Sequence, residues 1–491
     1  MVAPPAVAPA SSAPRLAFRV TYEGGTDAPA VEGRLLVSMT SMEGAKNPFD
    51  LGWDHMRDQW LAAALVGPVT RGQSVEVDPD ALAWPSPFSK APTGKYRIAA
   101  RLVRAGGADT LTGPVAEQTI DPAHAGVVEL RLASAMEHAK PPEDSEGVSL
   151  VHFESRLLSA FYGRSITIDA IVILPAGYGS EPRRKYPTEY FVTGFGGTFD
   201  RYARGAAASR KARIDAGYPP LVRVILPGMI PTGHHVFADS LNDGPWGHAL
   251  VEELIPELER RFALRAEPRA RLLAGHSSGG WSSLWLQITH PDFFGGTWST
   301  APDPVDFRSF VTVDVTPGSK DDFFRNKDGS PRMLVRDHGK DVAPMEDFAR
   351  YEDVSGDVSV LGTFNWVFSP RGPRGEPLPL FDRATGEQDP AVQRAWEKWD
   401  IRKVLDAGWP KLGPKLKGKL HAFAGGADTF HLNESLAFLC DFLKAKWNKP
   451  GDATCELVPD KTHFDLLGDV KDPKSLVWRI EHEMAAAAGA K

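Results

Sequence analysis

The chain has 491 residues, 42% hydrophobic and 24% charged, with 56 Lys plus Arg against 63 Asp plus Glu for a net charge of −7. That length exceeds a typical single core, so two domains are expected. The composition is that of an ordinary globular protein, and charge spread without long runs of one sign argues against a nucleic-acid footprint.

The opening "MVAPPAVAPASSAP" has no basic n-region and no apolar h-region, so it is not an intact signal peptide. Its Ala/Pro/Ser content predicts a disordered leader over 1–14, of the kind left just downstream of a cleavage site, and points to a secreted or periplasmic protein. From 15 to 134 come short alternating or β-branched runs, "LAFRVTY", "GRLLVSM", "SVEV", "KYRIAARLV" and "GVVELRL", separated by Gly/Pro/Asp turns. That texture predicts a small Ig-like β-sandwich. The apolar run "WLAAALVGPV" falls far short of the roughly 20 residues a membrane-spanning helix needs. Residues 135–147, "AMEHAKPPEDSEG", are polar and proline-bearing and read as a linker.

Over 148–491 the texture changes to strands alternating with helices. "SITIDAIVIL" (165–174) alternates like an outer strand, while "EYFVT" (189–193), "LVRVIL" (221–226) and "ARLLAG" (270–275) look like buried parallel strands. "GHALVEELIPELERRF" carries Leu250, Val251, Leu254, Ile255, Leu258 and Phe262 at helical spacing. Later come "KLHAFAGG", the helical "ESLAFLCDFLKAKW", the strand "CELV" and a terminal helix near 475–484. The alternation predicts an α/β fold with a doubly wound, mostly parallel sheet. Cys440 and Cys455 are the chain's two cysteines, too few for a disulfide scaffold or a cysteine-rich metal site. A helix-to-strand bridge and two buried thiols are both open.

"GHSSG" (275–279) fits G-x-S-x-G and lies between a predicted strand and a predicted helix, the setting the motif requires. Gly275 and Gly279 let strand and helix approach closely, which forces Ser277 into a strained, exposed turn. A chance match is the plain alternative, but this is the motif's single occurrence in the chain. A serine hydroxyl needs a base within reach and a group that orients the base. Of 14 histidines, His463 follows the last strand-like run and is the preferred base. His276 lies inside the elbow and is expected to point away, His421 sits in a strand, and His431 and His482 lie on or beside helices. His234 and His235, in a loop, are the second choice. For the acid, Asp428 follows "LHAFA" at a glycine turn, with helix N-capping as the plain alternative. Asp303 in "STAPDPVDF" is its rival, and chain order and turn chemistry favour Asp428. The oxyanion needs two amide donors: that of Ser278, just past the nucleophile, and one from "TGFGG" (193–197), where Phe195 is expected to supply it.

The segments "ILPAGYGSEPRRKYPTEYFVTGFGG", "GHHVFADSLNDGPWGHALVEELIPELERRF", "GHSSGGWSSLWL" and "TAPDPVDF" together resemble the esterase family that includes esterase D, enterochelin esterases and feruloyl esterases. The likeness runs from about 148 to the C-terminus. It implies an α/β-hydrolase fold and a serine carboxylic-ester hydrolase, with Ser277, Asp428 and His463 at the family's triad positions. The family commonly has His-Gly where this chain has Thr193-Gly194, which alters what supports the oxyanion turn while leaving backbone donors in place. A second departure is the long stretch of about 302–418. A structureless loop of that size is improbable, so a partly helical cap is expected there, with "AVQRAWEKWDIRKVL" helical and Trp366, Trp396 and Trp399 in its core or lining the cleft.

The resulting expectation is an acyl-enzyme mechanism on a small, carbohydrate-linked or aromatic ester, requiring no metal or cofactor. Trp246 and Trp281 are candidate pocket walls, with packing as the alternative. An acyltransferase would use the same triad and differ in excluding water. A peptidase is disfavoured because the propeller repeat of large α/β-hydrolase peptidases is missing. A glycan-binding protein with an inactive hydrolase domain, using Trp53, Trp60 and Trp84 on sugars, is disfavoured by the ordered serine, acid and histidine.

Overall fold

The computed structural model describes residues 16–24, 30–49, 58–104, 110–122, 124, 126–132, 142–356, 359–447 and 449–489. The expected leader, most of the expected linker and Trp53 lie outside them. The chain divides into two compact units, Met1–Ala139 with Asp347–Asp357, and Lys140–Glu346 with Val358–Lys491.

Among the described residues the first unit holds two sheets. In one, Ala17–Tyr22 pairs antiparallel with Ser74–Val77 and parallel with Val127–Leu132. The other has the order Ala83–Trp84, Gln59–Val69, Val31–Ser41, Gly94–Arg104, Thr110–Thr112, and Ala116–Ile120 also pairs with Gly94–Arg104. Alternating residues such as Phe18, Val37, Met39, Val77, Ile98 and Leu130 meet in one core, because period-2 alternation puts them on one face of each strand. The apolar run noted at 60–69 is most of the strand Gln59–Val69. Trp84 is buried edge-on to Tyr351, and Trp60 packs on Phe88.

The second unit is built on an eight-stranded sheet of β1 (Val148–Glu154), β2 (Thr167–Ile173), β3 (Thr188–Val192), β4 (Val222–Leu226), β5 (Arg271–His276), β6 (Gly296–Thr300), β7 (Leu420–Gly425) and β8 (Thr454–Val458), in the order β1-β2-β4-β3-β5-β6-β7-β8. β2 runs antiparallel to β1 and β4, and every other pair is parallel. Helices cover both faces: α1 (Phe199–Asp215), α2 (Ile255–Arg261), α3 (Ser278–Thr289), α4 (Leu432–Lys446) and α5 (Leu476–Ala487). On one face Val172, Tyr190, Val192 and Val224 pack with Leu250, Leu254, Ile255 and Leu258. On the other, Ala206 of α1 joins Ile171 and Ile225, while Leu272, Trp298 and Phe423 join Ile480 and Met484 of α5. This is the doubly wound α/β sheet expected from the sequence.

Local chemistry redraws two expected helices. The run 246–261 is helical throughout but widens to a π-helix at Leu250–Leu254 before α2. Pro256, which has no N–H to give, follows at once. The stretch 391–405 is broken: helix Pro390–Trp396 gives way to Glu397–Trp399, and a new helix, Ile401–Leu416, starts after Asp400. Asp400 holds extended backbone and its carboxylate accepts the Lys403 N–H, a side-chain N-cap that ends one helix and begins the next. β1 went unread because Ser149, His152 and Glu154 interrupt its apolar run. Between β6 and β7, Val360–Phe368 and these helices pack around Phe307, Phe310, Phe368, Trp396 and Trp399. Cys440 of α4 and Cys455 of β8 form a disulfide, Cα to Cα 5.2 Å.

Candidate active site

At the end of β5 the chain reverses into α3 through Ser277, whose φ of 61° and ψ of −124° belong to a region L residues avoid. The reversal is imposed by close approach. A Cβ on Gly275 would lie 2.0 Å from Gly279 O, and one on Gly279 would lie 2.1 Å from Val192 O. The Ser277 N–H donates to Thr300 O at 3.0 Å, and Ser277 O accepts from Asp303 N–H at 3.2 Å.

His463, in the loop after β8, is 3% exposed, and its Nδ1 lies 2.9 Å from Asp428 Oδ2. Asp428, in the loop after β7, is fully buried, and its Oδ1 accepts the Phe430 and Leu432 amides at 2.9 and 3.2 Å. Burial works to raise this carboxyl, but the charge and hydrogen bond of His463 and those two amides hold it below its ordinary value. With Asp428 accepting, Nδ1 carries a proton and Nε2 is left as the acceptor nitrogen. Asp428 is not the N-cap of α4, which is His431, but the same carboxylate serves the turn that leads into that helix. His276 stands against His463 with ring centroids 4.6 Å apart, rather than pointing away, because its Nδ1 is 3.1 Å from Thr300 Oγ1. Burial, reinforced by the charge of His463, lowers His276 to about 3 and keeps it neutral.

Asp303 is near but not joined to the histidine. It is 4% exposed, and burial raises it to about 6 against the Ser278 hydroxyl and the charge of His463, which lower it.

The turn 193–197 lies over the elbow: a Cβ on Gly194 would sit 3.2 Å from Ser277 Cβ. Among the described residues neither the Phe195 amide nor the Ser278 amide donates a hydrogen bond, so both are available to an anion. Thr193 Oγ1 donates to Gly197 O at 3.0 Å, which shows how a threonine supports this turn. His234 adds to it. Its Nδ1 accepts the Val236 amide at 3.0 Å, so Nε2 is the protonated nitrogen and donates to Thr193 O at 2.9 Å. Burial lowers His234 to about 4. His235 stacks on Trp246 at 3.9 Å and 8°. As a second choice for the base these two are displaced: both are buried and already engaged.

The tryptophans expected to wall a pocket are packed by protein. Trp246, 5% exposed, stacks on His235 and donates to Asp243 O at 2.8 Å. Trp281, 1% exposed, stacks on Trp285 and meets Phe368. Trp396 and Trp399 donate to Ser369 Oγ and Phe368 O inside the same aromatic cluster. His421 stacks on Trp298, and His482 on Trp478. The sequence reading missed Arg336, whose Nε donates to Asp428 O and whose Nη2 donates to Asn433 Oδ1, both at 2.8 Å. It lies 92 positions from the acid, and no local pattern marks it. Among the described residues no cluster of His, Cys, Asp or Glu could hold a metal, and no helix is long and apolar enough to cross a membrane.

Residues 159–310 match the model of the family described as "Putative esterase". No curated protein matches the chain. Among solved structures, a ferulic acid esterase is similar at 13% identity and a TM-score of 0.44, covering 70% of this chain and 98% of its own. An S-formylglutathione hydrolase from Agrobacterium tumefaciens is similar at 13% and 0.40, covering 71% and 97%. A CE1 ferulic acid esterase from Anaeromyces mucronatus, in complex with ferulic acid, is similar at 14% and 0.36, covering 72% and 94%. These are loose likenesses, and the chemistry is read from the site's own residues.

Proposed function

Starting from a chain whose residues 159–310 place it in the "Putative esterase" family, and so among carboxylic ester hydrolases, we propose that it works through an acyl-enzyme on Ser277. The observation that carries this reading is the buried His463–Asp428 hydrogen bond beside the strained Ser277 elbow. His463 Nε2 takes the Ser277 proton as Oγ attacks the ester carbonyl, while Asp428 fixes the tautomer and balances the imidazolium. The Phe195 and Ser278 amides hold the oxyanion. His463 then protonates the departing alcohol, and water, deprotonated by the same ring, releases the acid. These steps need neither metal nor cofactor.

We further read the two sheets of the first unit as a β-sandwich and the residues between β6 and β7 as a cap. The substrate class is a small, aromatic or carbohydrate-linked ester. The Cys440–Cys455 bridge supports an oxidising, extracytosolic setting. The test is p-nitrophenyl acetate turnover by wild type and Ser277→Ala. A loss of roughly 10⁴-fold or more in kcat is expected, and retained turnover would refute the assignment.

A further inference from the structure

With His463 Nδ1 held by Asp428 Oδ2 at 2.9 Å, only Nε2 can give a proton to the departing alcohol. The alcohol half of the ester therefore leaves within hydrogen-bond reach of that ring, and the groups bordering the ring border the alcohol.

Two phenylalanines do so, one from each loop that carries the acid and the base. Phe430, two residues after Asp428, is edge-on to His463 at 4.9 Å and 80°; Phe464, the residue after His463, stands at 5.3 Å and 87°. The two phenyl rings meet at 5.9 Å and 76°. His463 is 3% exposed whereas the Phe464 ring against it is 69% exposed, so the trio runs from the buried imidazole out to solvent. A lone exposed phenylalanine is ordinary on a protein surface. This one is held at the catalytic ring by a fixed loop: Asp465 Oδ1 accepts from Thr462 N–H at 2.6 Å and from Thr462 Oγ1 at 2.7 Å, and Asp465 Oδ2 pairs with Lys461 at 3.2 Å. In the same loop Leu466 is turned into the core at 2% exposed, whereas Phe464 is left outward.

We propose that the Phe464 ring, backed by Phe430, is the platform for the alcohol half of the ester and selects alcohols with a flat apolar face, phenols above all. The proposal rests on the reading of Ser277 and His463 given above. Offset or edge-on ring contacts favour such a partner over a small alkyl alcohol.

The test holds the acyl group constant and varies the alcohol: 2-naphthyl, phenyl and methyl acetates, and a monoacetylated methyl glucoside. The ratio of kcat/KM in Phe464→Ala to that in wild type cancels each ester's intrinsic reactivity. That ratio is expected to fall about 3- to 10-fold further for the aryl acetates than for methyl acetate, mainly through KM, with Phe464→Trp retaining the aryl preference. An equal loss on all four esters would make the ring a mere support for His463 and overturn the proposal. So would no loss, or a loss that follows acyl length when phenyl acetate is compared with phenyl butyrate. A larger loss on the glucoside than on the aryl acetates would overturn the choice of phenols. If wild type turns over none of these esters and Ser277 takes no fluorophosphonate, the esterase mechanism itself falls, a result distinct from all the others.

Discussion

Ser277 occupies a backbone state that costs an L residue of order 1–3 kcal/mol, and glycine would relieve it. Ser277→Gly is therefore expected to raise the unfolding free energy by about 1 kcal/mol while abolishing turnover. Urea denaturation reads this, and a less stable variant would mean that the elbow is not strained. The two carboxylates separate just as sharply. Asp428→Asn should lower kcat roughly 10³- to 10⁴-fold, because an amide no longer fixes the imidazole proton on Nδ1, whereas Asp303→Asn should cost less than tenfold; equal losses would contradict the assignment. Asp303 acts on stability instead. Its carboxyl rises from 3.8 to about 6 on folding, so between those values the unfolded chain has released a proton that the native chain keeps, and stability falls as pH rises. Asp303→Asn removes that loss, and its advantage over wild type should grow from pH 4 to pH 7 to about 3 kcal/mol and then level off. An advantage independent of pH would contradict the buried, raised carboxyl. At this scale the positions of Ser277, Asp428 and His463 were legible because each sits at a turn just past a strand. The His234–Thr193 bond spans 41 residues and leaves no local trace.

Elements were legible where one period dominated. β3, β4 and β5 are short β-branched or leucine-rich runs between turn residues, and α4 carries Leu436, Leu439 and Leu443 on one buried face. They were not legible where a single side chain overrides the pattern, as Asp400 does by capping a new helix within an amphipathic run. The junction of β5 and α3 is the least forgiving element. Gly279→Ala would place a Cβ 2.1 Å from Val192 O and 2.6 Å from Thr193 O, both backbone atoms that cannot move without breaking the sheet. Such a variant is expected to fail to fold or to melt far below wild type, and near-native melting would show that the elbow can open. The link from α4 to β8 closes a loop of 15 residues, for which a disulfide contributes about 3 kcal/mol. The Cys440→Ala/Cys455→Ala pair should lose about that much in urea denaturation while keeping kcat, since neither residue touches the site.

For the whole chain, length and the change of texture near 148 announced more than one domain. The assignment of Asp347–Asp357 to the first unit could not be read, because it depends on contacts more than 300 residues apart, such as Arg34 with Asp353 O. The second unit also carries a shared acid sensitivity. His234 and His421 are lowered to about 4 and His276 to about 3, in each case chiefly by burial, from an ordinary 6.5. Between those values the unfolded chain binds protons that the native chain refuses, so stability present at pH 7 is lost as pH falls. Each of these histidines should contribute about 2 kcal/mol of loss by pH 5, visible as a lower urea midpoint, and an unchanged midpoint would contradict their buried, neutral state. The proposed acyl-enzyme chemistry turns on one nucleophile, and the most direct test is peptide mass spectrometry after fluorophosphonate treatment of wild type and Ser277→Ala. A single adduct on the peptide bearing Ser277, missing in the variant, is the predicted result; an adduct on another residue, or ester hydrolysis that survives in Ser277→Ala, would contradict it.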